Sequence, residues 1–476
     1  MSLPLSESDP KELCLQINAL SAAGGLFEGD RSNLHPDSRL PWRISPEPFW
    51  ITPEQLRTLE ELGRVLVQFY QSSNLLYQQS IRGSQPAWVR HYLDRGKPEP
   101  VVELGRMNRF KSHLPLVIRP DLLLTEDGFR VTELDSVPGG IGFTGHLSGL
   151  YGQMGYDLVG GSHGLIDGFY EALAATTRTE RPVVAIVVSD ESEPYREEMQ
   201  WLADQLQERD LPAYCRHPRE LLFDDGGLFV EASGKRLQID AIYRFFELFD
   251  LKNIPKAELI GYFAKKNAVR VTPPLKAYLE EKMWLALFHH PMLQSFWEKE
   301  LDNRSLEILR TLVPASWILD PTPLPPHAVI PDLEIDGNAL NDWKQLEKLT
   351  KKQREFVLKP SGFSELAYGS RGVAIGHDLP EEEWANHLRE ALNNFSSSPY
   401  ILQKFHKSMR LSARYYDFAT AEIRAMRGRV LLRPYYYTGP DSVALAGIQV
   451  IICPPDKKVL HGMTDAILVP GAVTAV

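Results

Sequence analysis

Three cysteines in 476 residues (Cys14, Cys215 and Cys453), far apart and without a CxxC spacing, give no basis for a disulfide framework or a thiolate zinc site. No apolar run approaches the ~20 residues that a bilayer span requires. The opening stretch MSLPLSESDPKELCLQ has no basic region followed by an apolar core, so no signal peptide is expected. An excess of cations is also missing. With 52 Lys and Arg against 62 Asp and Glu the formal net charge is −10, which argues against nucleic-acid or membrane partners but permits a local basic pocket. There is no GxxxxGK[ST] loop, no GxGxxG after a strand, and no Ser-His-Asp or Cys-His signature. These absences point to a cytoplasmic protein in a reducing compartment that works without a side-chain nucleophile.

What is present is ordinary globular material, 43% hydrophobic and 24% charged. The length exceeds what one core usually serves, so two or three packed subdomains are expected. Residues 1–95 read as mostly helical. Thr52-Pro53-Glu54-Gln55 supplies a cap, a first-turn proline and a capping-box partner, and Leu56, Leu59, Leu66 and Phe69 follow at helical spacing. From Pro115 to Gly142 the chain reads strand, turn, strand, with Glu126-Asp127-Gly128 at the turn and Pro-Gly-Gly as a stop. Over 181–275, the buried run RPVVAIVVSD, the stripe Met199, Leu202, Ala203 and Leu206, then AYC and IDAIYRFF alternate as strand, helix, strand, strand. That alternation suits a small parallel α/β unit. Residues 276–294 and 339–355 are expected to be helical, FVLKP and YILQKF strands, and AEIRAMRGRVLLRPYYY a hairpin turning at Arg427-Gly428.

Chemistry concentrates in Arg119-x-Asp121 and Glu133-x-Asp135. Residues two apart on a strand share a face, so a hairpin would gather one guanidinium and three carboxylates on one surface. Asp121, Glu133 and Asp135 would then offer hard oxygen ligands for one or two Mg²⁺ ions; the alternative is a solvated, charged strand face. Lys359 ends an apolar strand just before SGFSELAYGSRGVAIG. There Gly362, Gly369 and Gly372, with Ser361, would let backbone N–H groups approach phosphate oxygens, unless the loop is only a connection. Lys282 and Lys404 alone read as surface lysines, His289-His290 as structural, and Cys453 as a packed residue. Arg424 and Arg433 would serve either a substrate anion or structural ion pairs.

In their order along the chain, Arg119-x-Asp121, Glu133-x-Asp135, YRFFELFDL (243–251), Lys282, FVLKPSG and YILQKF, these residues resemble the circularly permuted ATP-grasp family of glutathionylspermidine synthetase-like proteins. The resemblance spans roughly 100–476. It implies an α/β fold of ATP-grasp type in permuted order. Its metal-binding part would be 96–180, a Rossmann-like subdomain 181–275, and the nucleotide-binding part 276–476 with a lid at 361–372. It further implies ATP and Mg²⁺ as cofactors, with Asp121, Glu133 and Asp135 holding the metal and Arg119 stabilising phosphoryl transfer. Lys282 and Lys359 would contact phosphates or adenine, the lid residues Ser361, Gly362, Gly369 and Gly372 would close over them, and Gln403, Lys404 and Phe405 would form the adenine hinge. Asp135 stands where the family usually has Asn, and Gln403 where Glu is common.

The implied reaction is an ATP-dependent carboxylate–amine ligation through an acyl phosphate, with a small carboxylate and an amine as substrates. A small-molecule kinase and a non-catalytic nucleotide-binding regulator are the alternatives.

Overall fold

In the computed structural model, the described residues are 9–23, 42–135, 137–440, 442–462 and 465–474. Residues 1–8 and 24–41, part of the segment expected to be helical, lie outside them. Helix Pro53–Arg82 begins as its sequence dictates. Thr52 Oγ1 accepts from the Gln55 N–H at 3.2 Å while Gln55 Oε1 accepts from the Thr52 N–H at 3.0 Å, and Gly83 closes the far end at φ +80°. Its apolar face, including Leu59, Leu62, Leu66 and Phe69, is buried. Gly63 permits close approach to the large sheet, since a β-carbon there would lie 2.7 Å from the Tyr436 ring.

That sheet orders its strands Phe49–Ile51, Ile467–Val473, Val443–Cys453, Glu422–Thr438, Val117–Thr125 and Gly128–Asp135, and Arg410–Asp417 pairs with Glu422–Thr438 as well. The early hairpin therefore lies beside a late strand, in register Leu431 to Leu123 and Tyr436 to Ile118. A second sheet is parallel, ordered Arg270–Thr272, Ala241–Phe245, Val184–Val188 and Ala213–Arg216. Val184–Val188 is buried throughout, as a run apolar on both faces must be. A third, antiparallel sheet orders Ser316–Ile318, Tyr400–Lys404, Phe356–Pro360 and Ala374–Ile375. No described helix is long and apolar enough to cross a membrane.

Three local expectations fail for physical reasons. Arg427-Gly428 is no turn: Glu422–Thr438 is one continuous strand, and the reversal lies between Asp417 and Glu422, where Ala421 takes φ +54°. Gly428 instead allows the neighbouring strand to pass, because a β-carbon would lie 2.5 Å from Ile452 and 2.7 Å from the Cys453 carbonyl. The 276–294 stretch breaks into a 3-10 turn Ala277–Glu280, helix Met283–His289 and a second 3-10 turn Pro291–Leu293. The backbone is extended at Glu281, whose carboxylate is drawn elsewhere, and Lys282 caps the helix rather than riding on it. In 339–355 only Trp343–Lys348 coils, as a 3-10 segment capped by Asp342 and Gln345. Its buried leucines, Leu340, Leu346 and Leu349, do not repeat over enough turns to hold a longer helix.

Candidate active site

The hairpin Val117–Thr125 and Gly128–Asp135 sets Arg119 opposite Asp135 and Asp121 opposite Glu133. One guanidinium and three carboxylates do share a surface, but cations claim the carboxylates. Arg119 donates through Nε to Asp121 Oδ1 at 2.9 Å, pairs with Asp135 Oδ2 at 2.9 Å, and donates to the Gly139 carbonyl at 3.0 Å. Arg433, from strand Glu422–Thr438, holds the other oxygen of Asp121 at 2.9–3.0 Å. Asp121 thus bridges two guanidiniums in a site where Arg119 and Asp121 are both buried. Glu133 pairs with Lys282 at 3.1 Å. Lys359 is also buried and donates to the Thr132 carbonyl at 2.6 Å and to Gln403 Oε1 at 2.8 Å.

The electrostatics follow from this pairing. Burial alone would raise the Glu133 carboxyl, but Lys282, Lys359 and Arg119 outweigh it and hold the group below its ordinary range. Burial lowers Lys359 to about 8, against the opposing pull of Glu133. Asp135 is raised by burial, with Glu133 and Asp121 adding to the effect against Arg119.

Among the described residues no three His, Cys, Asp or Glu side chains gather closely enough to hold a metal ion. The expected three-carboxylate cage is therefore not formed, and Asp121, committed to two guanidiniums, does not fit as a ligand. Glu133 and Asp135 line the open cleft and do fit a Mg²⁺ held mostly by phosphates, an ion that commonly takes only one or two protein carboxylates.

Two spaces meet at Glu133. A narrow pocket of about 90 Å³ lies between Val357, Lys359, Ile375, Gln403 and Phe405 of the antiparallel sheet region and Asp121, Thr132 and Leu431 of the large sheet. A wider cleft of about 650 Å³ opens along Arg119, Asp135, Lys282 and Arg433. Gln403 turns its amide onto Lys359 and, from Nε2, onto Ser316 at 3.2 Å, so its side chain braces a lysine instead of facing an adenine edge. The N–H groups of Lys404 and Phe405 donate to the Ala315 and Glu355 carbonyls, and the Lys404 side chain is exposed.

The loop after Lys359 also differs from its expected role. Ser361 Oγ donates to Glu281 at 2.7 Å and the Gly362 N–H donates to it at 3.1 Å, so these donors are spent within the protein. Gly362 is required by proximity, since a β-carbon would lie 2.0 Å from the Glu280 carbonyl. Glu281 is in turn ion-paired with Lys97, and both side chains are sealed from solvent. Gly369 falls in the 3-10 segment Glu365–Ser370, and the Gly372 N–H closes back onto the Leu366 carbonyl. Lys282 donates to the Ala367 carbonyl at 3.3 Å, so the loop already rests over the cleft. Replacing Lys97 by Met should cost about 3–5 kcal/mol, because Glu281 would remain buried without its counter-ion. Urea denaturation measures this; the double variant K97M/E281Q should recover most of the loss, and a K97M loss below about 1 kcal/mol would contradict the clasp.

Several cleft residues escaped the sequence reading. Glu198, on helix Arg196–Gln207, accepts the N–H groups of Gly140 at 2.6 Å and Phe143 at 3.0 Å at the start of helix Ile141–Gln153. Burial nevertheless lifts it to about 7. Glu247 is raised by burial and by nearby Glu280, which is paired with the fully buried Arg244. Glu247 and Arg244 fall inside the 243–251 segment that carried the resemblance, whereas Glu198, and Gln449 which lines the same cleft beside Arg433, left no local signal. Arg424 pairs with Asp417 at 3.0 Å on the exposed end of its strand, outside both spaces. Cys453 is buried, its thiol pushed up to about 11 by that burial.

No family model matches the chain, and no curated protein does. Among solved structures, the chain resembles a glutathione synthetase-like effector from Globodera pallida in its apo form. The TM-score is 0.56 at 12% identity, with both chains covered in full. At that identity the likeness is one of fold. A putative gamma-glutamylcysteine synthetase from Methylobacillus flagellatus aligns at a TM-score of 0.37 and 12% identity, covering 82% of this chain and 84% of that one, too weak to carry an argument.

Proposed function

We propose that this chain is an ATP-dependent ligase that joins a carboxylate to an amine through an acyl phosphate. The observation that carries the reading is the gathering of Lys359, Lys282 and Arg119 around Glu133 and Asp135, where a narrow pocket and a wide cleft share Glu133 as a wall. The synthetase-like name of the structural neighbour supports it. The chain order, with the carboxylate hairpin ahead of the lysine-bearing sheet, supports the permuted form of an ATP-grasp fold, and the glutathionylspermidine synthetase-like resemblance remains its narrower version.

In this reading the adenine enters the narrow pocket, and Lys359 and Lys282 face the phosphates. Mg²⁺, held by Glu133 and Asp135 together with phosphate oxygens, would offset their charge. A carboxylate oxygen of the substrate attacks the γ-phosphorus as ADP leaves, and Arg119 lies where charge gathers. The amine nitrogen then attacks the acyl carbon and phosphate departs. Glu198 and Glu247 line the cleft wall, and either carboxyl in its ionised form would take the proton the amine sheds. The 361–372 loop keeps water from the acyl phosphate.

The test is ADP release measured across paired carboxylates and amines, with hydroxylamine as a surrogate nucleophile. Hydroxamate formation, and ADP release that needs both substrates, are expected. Phosphorylation without an amine would instead identify a kinase, and ATP binding without turnover on any pair would overturn the enzyme reading.

Lys359 gives a further expectation. It is charged below about pH 8 and loses its proton above, so kcat/KM for ATP should fall as pH rises through that value. Lys359→Ala should raise KM for ATP by roughly 10–100-fold, the worth of a charge-assisted hydrogen bond, and remove this alkaline limb. An unchanged KM would exclude a nucleotide role.

A further inference from the structure

Next to the narrow pocket, on the far side of the Gln403–Ser316 hydrogen bond and sharing no lining residue with either active-site space, lies a cavity of about 370 Å³. It is bounded by edge strand Ser316–Ile318, helix Met283–His289 and the proline-rich connection 320–332. Its size is within the range of roughly 300–1,000 Å³ typical of small-molecule sites. Three aromatic side chains form much of its wall, and each has its polar end tied into the frame. Tyr92 donates to Asp320 Oδ2 at 2.7 Å, Trp343 to the Asp320 carbonyl at 2.8 Å, and Trp317 to the Pro331 carbonyl at 2.8 Å. Pro323, Pro325 and Pro331 stiffen the exposed connection that flanks it. The aromatic side chains are thus fixed in place by the protein, which lowers the cost of ordering them around a guest.

The charges decide the guest. No lysine or arginine lines the cavity. Burial depresses both of its histidines, His289 and His290, keeping them neutral. The charged wall groups are Asp320, whose oxygens already accept from Tyr92 and the Thr322 N–H, and Asp332, exposed at the rim. A carboxylate or phosphate would find like charge and no counter-ion, whereas a donor N–H or O–H would find the lone pairs that the Asp320 carboxylate keeps beyond those two bonds.

We propose that this cavity is a second ligand site, for a small aromatic molecule that carries no negative charge and bears a hydrogen-bond donor. The proposal does not depend on the reaction assigned to the other cleft. N-phenyl-1-naphthylamine, which brightens in apolar surroundings, is the probe for the full-length protein, with 1-anilinonaphthalene-8-sulfonate as its anionic counterpart. Saturable one-to-one binding is expected, about tenfold or more tighter for the uncharged probe. Leu324→Asp, a change at a 40% exposed wall residue, and Ala286→Phe, which fills the cavity, should each weaken it about tenfold or more. If Ala286→Phe does not fold, Leu324→Asp decides. Lack of saturation, equal affinity for the sulfonate, or full affinity in Leu324→Asp would overturn the proposal.

Discussion

Glu133→Gln should fold like the parent yet lose turnover by on the order of 10³-fold, the scale of removing a principal electrostatic group from a reaction centre. Glu133 retains 31% side-chain exposure and the substitution preserves its shape, so thermal melting should shift little. What disappears is the negative charge opposite Lys282 and Lys359 and one of two carboxylates suited to Mg²⁺. Affinity for Mg·ATP should fall roughly 10–100-fold, as when a metal site loses a supporting group. The pH dependence should move with it. Glu133 raises Lys359 against burial, so its removal carries the lysine further down and the alkaline fall of kcat/KM begins below pH 8. Titration by isothermal calorimetry and steady-state profiles would test both points. Parental activity would remove Glu133 from the mechanism.

Arg119→Lys should reduce kcat by about 10²–10³-fold with a much smaller effect on KM for ATP. Charge is conserved, but a lysine cannot span Asp121, Asp135 and the Gly139 carbonyl as the planar fork does. Asp121 keeps Arg433, so the stability loss should be smaller than for an orphaned ion pair, whereas Asp135 loses its cation. A kcat within threefold of the parent would show that the guanidinium is scaffolding.

The hairpin was legible because it obeys short-range rules: a two-residue spacing, an acidic-Gly turn and a Pro-Gly-Gly stop at 138–140, where a β-carbon on Gly139 would strike the Tyr195 ring at 2.2 Å. The same holds for the capped helix at Thr52 and the buried run at 184–188. Partner choice was not legible. Nothing near Asp121 announces that Arg433 will occupy its second oxygen, and nothing near Gly362 announces Glu281 and Lys97. Glycine misled in both directions. Gly428 reads as a turn but yields space to Ile452, and Gly362 reads as a phosphate cradle but yields space to a carbonyl. Periodicity reports which face is apolar, while ion pairing is decided by strands that meet only in three dimensions.

The bridge from Asp121 to Arg433 joins residues 312 positions apart. A ribosome adding about 5–20 residues per second needs roughly 15–60 s to make the intervening chain. Throughout that interval the early hairpin has one guanidinium for its carboxylates and an open strand edge where residues 422–438 will later dock. The nascent hairpin is therefore a waiting half-site, exposed to mispairing and dependent on late synthesis for both its neighbour strand and its charge balance. Pausing or truncation before Arg433 would leave the chain able to form local structure but unable to complete the ion-pair cluster around Asp121.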